Sequence, residues 1–370
     1  MKIITLALGL GLTLSTSAFA TPITDPFTSF FSFGDSLTDD GKLGLLAPPS
    51  LGGRFSNGPT YAEIIADDFE ANGHDTGNLA LGGATAGDTN LSPIPGAPFN
   101  TFSSQIGVFA DALGLAGPGD TPNPLITGLA PVPTFDTAPP DTGSNPLLSV
   151  FFGANDLFQA FEVAGSGVVD PADVPAFLVN AAFNAANAVE TGIRALNGLD
   201  PSVFDDFLVI GLPDLGATPA FSGDATASAV TSVFNLQLTQ NLLSLNNDGI
   251  NVIGFDPNEA LNAIIADANF NNGDIFGITN VSTPCTASFS AALLVPPSQV
   301  SQIPSCLDDG IDPNTVLFGD SVHPNAVAQA LLASELRGQI EIAPVPLPAS
   351  LPLLLFGIAG MGIVARRRRS

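Results

Sequence analysis

Ser, His and Asp occur in this chain at positions from which a fold could assemble an activated nucleophile. Ser36 lies in Phe31-Ser32-Phe33-Gly34-Asp35-Ser36-Leu37-Thr38-Asp39-Asp40-Gly41. A serine hydroxyl is a weak nucleophile at neutral pH and needs a general base within hydrogen-bond reach. The chain offers two histidines, His74 and His323. His323 follows Asp320 in Asp320-Ser321-Val322-His323-Pro324, so a carboxylate three residues back can fix the ring tautomer and stabilise the imidazolium. His74, in the polar turn-like stretch Asn72-Gly73-His74-Asp75, has no such arrangement. The expected chemistry is covalent catalysis through Ser36, with His323 as base and Asp320 behind it.

These groups need elements to carry them. The apolar, aromatic run from Phe27 to Phe33 reads as a buried strand that Gly34-Asp35-Ser36 stops with turn-forming residues. Ser36 is thereby placed at the carboxyl end of a first strand, the edge at which open α/β sheets bind ligands. Two further segments can bring oxyanion donors to that edge. Asn78 to Gly87 reads as a short strand ending in a glycine-rich turn, where a backbone N–H can approach a ligand unobstructed. Leu147 to Asp156 reads as a central buried strand that delivers the Asn155 amide.

In this order the blocks resemble the GDSL esterases and lipases, also called SGNH hydrolases. Gly34-Asp35-Ser36-Leu37 matches the family's nucleophile motif, Gly153-Ala154-Asn155-Asp156 its Gly-x-Asn-Asp motif, and Asp320-Ser321-Val322-His323-Pro324 its Asp-x-x-His-Pro motif. Gly83 falls on the family's oxyanion glycine, with Gly82 the nearest competitor. The resemblance spans roughly Phe31 to Leu336. It is nearest to the extracellular lipase/lecithinase/hemolysin branch, through Leu212-Pro213-Asp214-Leu215-Gly216-Ala217-Thr218-Pro219 and Asn280-Val281-Ser282-Thr283-Pro284-Cys285. It implies a triad of Ser36, Asp320 and His323, an oxyanion hole of Ser36, Gly83 and Asn155, an ester substrate, and no cofactor. It also implies a flavodoxin-like three-layer α/β/α sandwich with a mainly parallel sheet of about five strands. That agrees with the alternation of strand and helix patterns along the chain.

Between the motifs, helices are expected from Pro59 to Phe69, Thr101 to Leu113, Ala225 to Leu245, Pro257 to Ala266 and Asn325 to Arg337. Pro171 to Leu196 reads as a helix pair or one long helix. Further strands are expected at Phe204–Ile210, Gly249–Phe255 and Val316–Phe318. Pro48 to Asn57 is a surface loop near the site. The Pro/Gly/Thr-rich segment 117–145 is either a lid or a passive excursion. Asp267 to Asp274 has the look of a calcium loop, but its glycine falls one place late and no closing Glu follows, so it is read as a turn.

Met1 to Ala20 has the charged start, apolar run and Ala-x-Ala end of a secretory signal peptide, so 21–343 is the catalytic domain. In an exported protein the only cysteines, Cys285 and Cys306, most simply form one disulfide. All 35 acidic residues but only 4 of the 9 basic ones lie between Thr21 and Ala343, leaving −31. That field repels phosphate backbones and makes nucleic acid an improbable partner. Segment 344–370 has a Pro-rich break, an apolar stretch and Arg366 to Arg369 at its end. It is similar to the PEP-CTERM sorting signal of exopolysaccharide-producing Gram-negative bacteria, with Leu347 where that signal usually has Glu. Processing by an exosortase-type protease and retention as a membrane anchor are both open. So are three readings of the activity: a lipid or short-acyl esterase, a carbohydrate O-acetylesterase, and a non-catalytic binding protein on a hydrolase scaffold. Oligomeric state is not readable.

Overall fold

The computed structural model describes residues 27–91, 100–115 and 140–342. The segment read as a signal peptide (1–20), residues 117–139 of the candidate lid and the tail 344–370 lie outside them. Five strands form one all-parallel sheet in the order β2-β1-β3-β4-β5: β1 Ser29–Gly34, β2 Asp75–Asn78, β3 Pro146–Phe151, β4 Asp206–Ile210 and β5 Asn251–Phe255. β1, β3 and β4 are buried along their whole length, and their near-continuous apolar sequences suit a sheet covered on both faces. Side chains of β1 alternate between the layers. Phe30 stacks on Phe69 of α1 (Tyr61–Ala71) at 5.4 Å, while Phe31 and Phe33 meet Phe109 of α2 (Phe102–Ala112) at 5.0 and 5.4 Å.

One layer holds α1, α6 (Asn258–Asn271) and α7 (Ala326–Ile342). The other holds α2, α3 (Ala154–Gly165), α4 (Val174–Leu199) and α5 (Ala225–Asn247). The stretch read as one or two helices is the single 26-residue α4. Thr60 starts α1 with a capping box, its hydroxyl accepting from Glu63 N–H while the Glu63 carboxylate accepts from Thr60 N–H. No described helix is long and apolar enough to cross a membrane.

Two expected strands differ. β2 lies at Asp75–Asn78, within and after the segment read as a polar loop, rather than starting at Asn78. It is a half-exposed edge strand of sequence DTGN, so its pairing with Ser29–Ser32 comes from the free edge of β1 and not from an apolar pattern of its own. Val316–Phe318 is not a sheet strand. Its residues make isolated bridges to Asn280 and Pro324, and Leu317 and Phe318 pack with Ile264 and Ile278. Burial accounts for that apolar run without strand pairing. The calcium-like segment is a turn, as read: the Asp267 carboxylate accepts from the Ile275 and Phe276 N–H groups, both at 3.0 Å.

Candidate active site

The chain leaves β1 toward β2 on one side and returns across it to β3, so the sheet order reverses between β1 and β3. A crevice at the carboxyl ends of the strands is expected at such a switch point. Ser36 follows β1 and Asn155 follows β3, one on each side of it. His74 precedes Asp75, which pairs with Ser29 at the opposite, amino end of β1, and its ring packs on Phe69 at 6.1 Å.

The Ser36 turn is held from within. Thr38 and Asp39 N–H donate to the Asp35 carbonyl at 3.1 and 3.0 Å, and Leu37 N–H donates to Asp35 Oδ1 at 3.0 Å. The Ser36 hydroxyl meets His323 Nε2 at 2.7 Å, and His323 Nδ1 meets Asp320 Oδ1 at 2.8 Å. Phe55 and Phe289 flank the imidazole, with ring centroids 4.8 and 6.0 Å away. Asp320 is buried and also accepts from the N–H groups of Val322 (3.0 Å), His323 (2.9 Å) and Phe289 (3.0 Å). Burial pushes its carboxyl upward. The charge and hydrogen bond of His323, with the backbone donors, outweigh that and hold it below its ordinary value.

Asp320 and His323 sit on irregular chain with its own staple. Cys285 and Cys306 are disulfide-bonded, Cys285 N–H donates to the Phe318 carbonyl at 3.1 Å, and Thr286 N–H donates to the Gly319 carbonyl at 2.9 Å. The stapled segment thus binds the two residues just before Asp320 and supplies, through Phe289, one of the donors to its carboxylate.

The expected oxyanion donors lie in the segments that follow β1 and β3 and in the loop between β2 and α2. Among the described residues, the N–H groups of Ser36 and Gly83 have no partner within the protein. Gly83 has φ +82°, a conformation that favours glycine. Gly82, its competitor, is engaged: its N–H donates to Asp39 Oδ2 at 2.7 Å. Asn155 donates one amide hydrogen to the Ala84 carbonyl at 2.9 Å, which orients the amide and leaves its second hydrogen uncommitted. Gly153, at φ +119°, turns the chain from β3 into α3 so that Asn155 falls in the first turn. The Asp156 carboxylate then straps the glycine-rich loop, accepting from Ala86 N–H at 2.8 Å and Gly87 N–H at 3.0 Å. Burial pushes its pKa up to about 6 against the pull of those two donors.

Three residues that support this geometry were not singled out from sequence: Asp39, which takes Gly82 N–H; Asp156 in its strap role; and Gln105, which bonds the backbone of Gly34. The available signals were an Asp three places after Ser36 and a Gln on an apolar helix face. A narrow cleft of about 40 Å³ adjoins Ser36 and His323, lined mostly by apolar side chains that include Leu37, Ala154, Phe158, Leu215 and Val322. Among the described residues no cluster of His, Cys, Asp or Glu could hold a metal ion.

Fold and site together combine an all-parallel α/β sheet with a Ser-His-Asp arrangement at the carboxyl ends of its strands. The chain belongs to the GDSL-like lipase/acylhydrolase family, whose description matches residues 30–336. A protein of Pseudomonas putida described as an uncharacterized protein in the trpE-trpG intergenic region is 25% identical over 348 residues, covering 85% of this chain and 48% of its own length. The chain therefore spans about half of that relative. A phosphatidylcholine-sterol acyltransferase of Aeromonas hydrophila is 43% identical over 67 residues, 16% of this chain and 19% of that protein. Similar solved structures include an acetylxylan esterase of Geobacillus stearothermophilus (12% identity, 85% of this chain and 94% of that one, TM-score 0.43). A phospholipase A1 of Streptomyces albidoflavus is also similar (14%, 84% and 99%, TM-score 0.39).

Proposed function

We propose that the protein is an exported serine esterase that transfers the acyl group of a carboxylic ester to water. The observation that carries this reading is the unbroken chain from Ser36 Oγ through His323 to Asp320, at 2.7 and 2.8 Å, beside the unpartnered N–H groups of Ser36 and Gly83. His323 takes the Ser36 proton as Oγ attacks the ester carbonyl, and the ionised Asp320 stabilises the imidazolium that results. The carbonyl oxygen gains charge as the tetrahedral intermediate forms. Ser36 N–H, Gly83 N–H and the second hydrogen of the Asn155 amide receive it. His323 returns the proton to the departing alcohol. Water then attacks the acyl-serine with His323 again as base, releasing the acid.

The narrow apolar cleft favours a short acyl group, which keeps an O-acetylated carbohydrate as a second reading beside a short-chain lipid ester. Export through residues 1–20 and surface retention through 344–370 belong to the same proposal. The test is hydrolysis of p-nitrophenyl esters from acetyl to palmitoyl by the purified protein, with Ser36→Ala beside it. Serine-dependent turnover with an optimum at short chains is expected. Undiminished turnover by Ser36→Ala would overturn the assignment.

A further inference from the structure

Gln105 is fully buried on the face of α2 that also carries Phe102, Ile106 and Phe109. A polar side chain among aromatic rings is stable there only if its hydrogen bonds are made, since an unmet buried group costs about 1–3 kcal/mol. Gln105 makes two of them to one residue: Oε1 accepts from Gly34 N–H at 3.0 Å and Nε2 donates to the Gly34 carbonyl at 2.8 Å.

The position of Gly34 gives this clamp its meaning. On one side Gly34 is in register with Phe151 of β3, four residues before Asn155. On the other, its carbonyl also accepts from Leu81 N–H at 3.1 Å, two residues before Gly83. Ser36 follows two residues later. The β1–β2 register would give Gly34 N–H the Leu79 carbonyl as partner, because Ser32 is paired with Asn78 and Leu79 N–H bonds the Ser32 carbonyl. That bond is not made: Leu81 N–H keeps the register to the Gly34 carbonyl, but Gly34 N–H goes to Gln105 Oε1 instead of the Leu79 carbonyl. The three segments that carry the expected oxyanion donors therefore all adjoin Gly34: Ser36 follows it, the Gly83 loop bonds its carbonyl and β3 lies beside it in register.

We infer that Gln105 is a positioning residue for the acyl-transfer chemistry, which fixes the Gly34 backbone and through it the relative placement of the Ser36, Gly83 and Asn155 donors. This rests on the esterase reading above. Kinetics of the full chain with Gln105→Leu and Gln105→Glu test it, with wild type and Ser36→Ala alongside. Gln105→Leu should lower kcat by about 10- to 100-fold, the scale expected when reacting groups shift by up to an ångström. KM should stay within about twofold, and labelling of Ser36 by a fluorophosphonate should slow with kcat. A carboxylate at 105 accepts from Gly34 N–H but opposes the Gly34 carbonyl, whereas a protonated carboxyl satisfies both. The Gln105→Glu to wild-type kcat ratio should therefore rise as pH falls, and taking it at each pH divides out Asp35, Asp156 and His323. A Gln105→Leu protein of lowered melting temperature but unchanged kcat would reduce Gln105 to a core residue and overturn the inference. If Gln105→Leu does not fold, a Gln105→Glu ratio flat with pH overturns it instead. Wild type without Ser36-dependent turnover would overturn the esterase reading and this one with it.

Discussion

Ser36 and His323 meet at 2.7 Å from two differently built regions of the molecule. Ser36 sits at the end of a buried parallel strand, in a turn closed by its own backbone and clamped by Gln105. His323 and Asp320 sit beyond the last strand, on chain with no sheet pairing, ordered by a disulfide, short helical turns and backbone donors aimed at one carboxylate. The same contrast shows in the acids of each region. Asp35 and Asp320 are both buried. Asp35 has one backbone donor, from Leu37, and its Oδ2 has no hydrogen-bond partner, so burial pushes its pKa up to about 7. Asp320 has three backbone donors and an imidazole, and its pKa is lowered. Burial alone does not set the charge of a carboxyl; at Asp320 the charge and hydrogen bond of His323, with the backbone donors, reverse its effect. The strand-end region tolerates an acid that is half protonated near neutrality, whereas the irregular region is built around keeping its acid ionised.

The contrast is sharpest in activity. Asp320→Asn keeps the size of the side chain but removes the charge, and should lower kcat by about 10³–10⁴-fold with the fold intact, read by steady-state kinetics and circular dichroism. Asn155→Ala removes one donor on the sheet side and should lower kcat by about 10²–10³-fold with little change in KM. Equal losses would mean that the ionised acid contributes no more than a single oxyanion donor.

Smaller effects probe the supports. Replacing Cys285 and Cys306 together with Ser opens a loop of sequence separation 21 and should cost on the order of 3 kcal/mol in denaturant unfolding. Hydrogen exchange in that variant should quicken at residues 318–323 and stay slow around Ser36. Comparable loosening at both places would break the two-region picture. The smallest expected effect belongs to Asp35. Its folded pKa of about 7 lies above the ordinary 3.8, so its protonated form stabilises the fold fully below pH 4, and that contribution is lost as pH rises toward 7. Asp156, raised to about 6, acts in the same sense. Asp320 acts oppositely, its contribution being present above pH 4 and lost as pH falls through its lowered pKa. Asp35→Asn should therefore gain stability over wild type as pH rises from 4 to 8 and nothing at pH 4, measured as the pH dependence of unfolding. A variant whose stability follows the wild-type pH slope would show that Asp35 is already ionised in the fold.

Much of this was legible without the structure. Residue type and spacing singled out Ser36, Asp320, His323 and Asn155, because nucleophile, base, orienter and amide donor each require particular functional groups. Continuous apolar runs marked β1, β3 and β4, because strands covered on both faces need apolar side chains in both directions, and the alternation of Ile250, Val252 and Ile253 marked the edge strand β5. β2 was misplaced because an exposed edge strand is defined by its partner and can be as polar as DTGN. Val316–Phe318 failed from the opposite side, since an apolar run reports burial whether or not a strand forms. The resemblance put Gly83 ahead of Gly82, and only the tertiary structure gives the physical difference between them: Asp39 takes Gly82 N–H, whereas Gly83 N–H has no partner among the described residues. The clamp of Gln105, 71 residues from Gly34, and the opposite titration of Asp35 and Asp320 were tertiary as well. Sequence alone determined which reactive groups the chain carries and most of the elements that hold them, because side-chain groups and short-range periodicity are local properties. Which donor stays free, which acid keeps its proton and which peptide is clamped were decided only in the tertiary structure, because each depends on what a distant segment brings within hydrogen-bond reach.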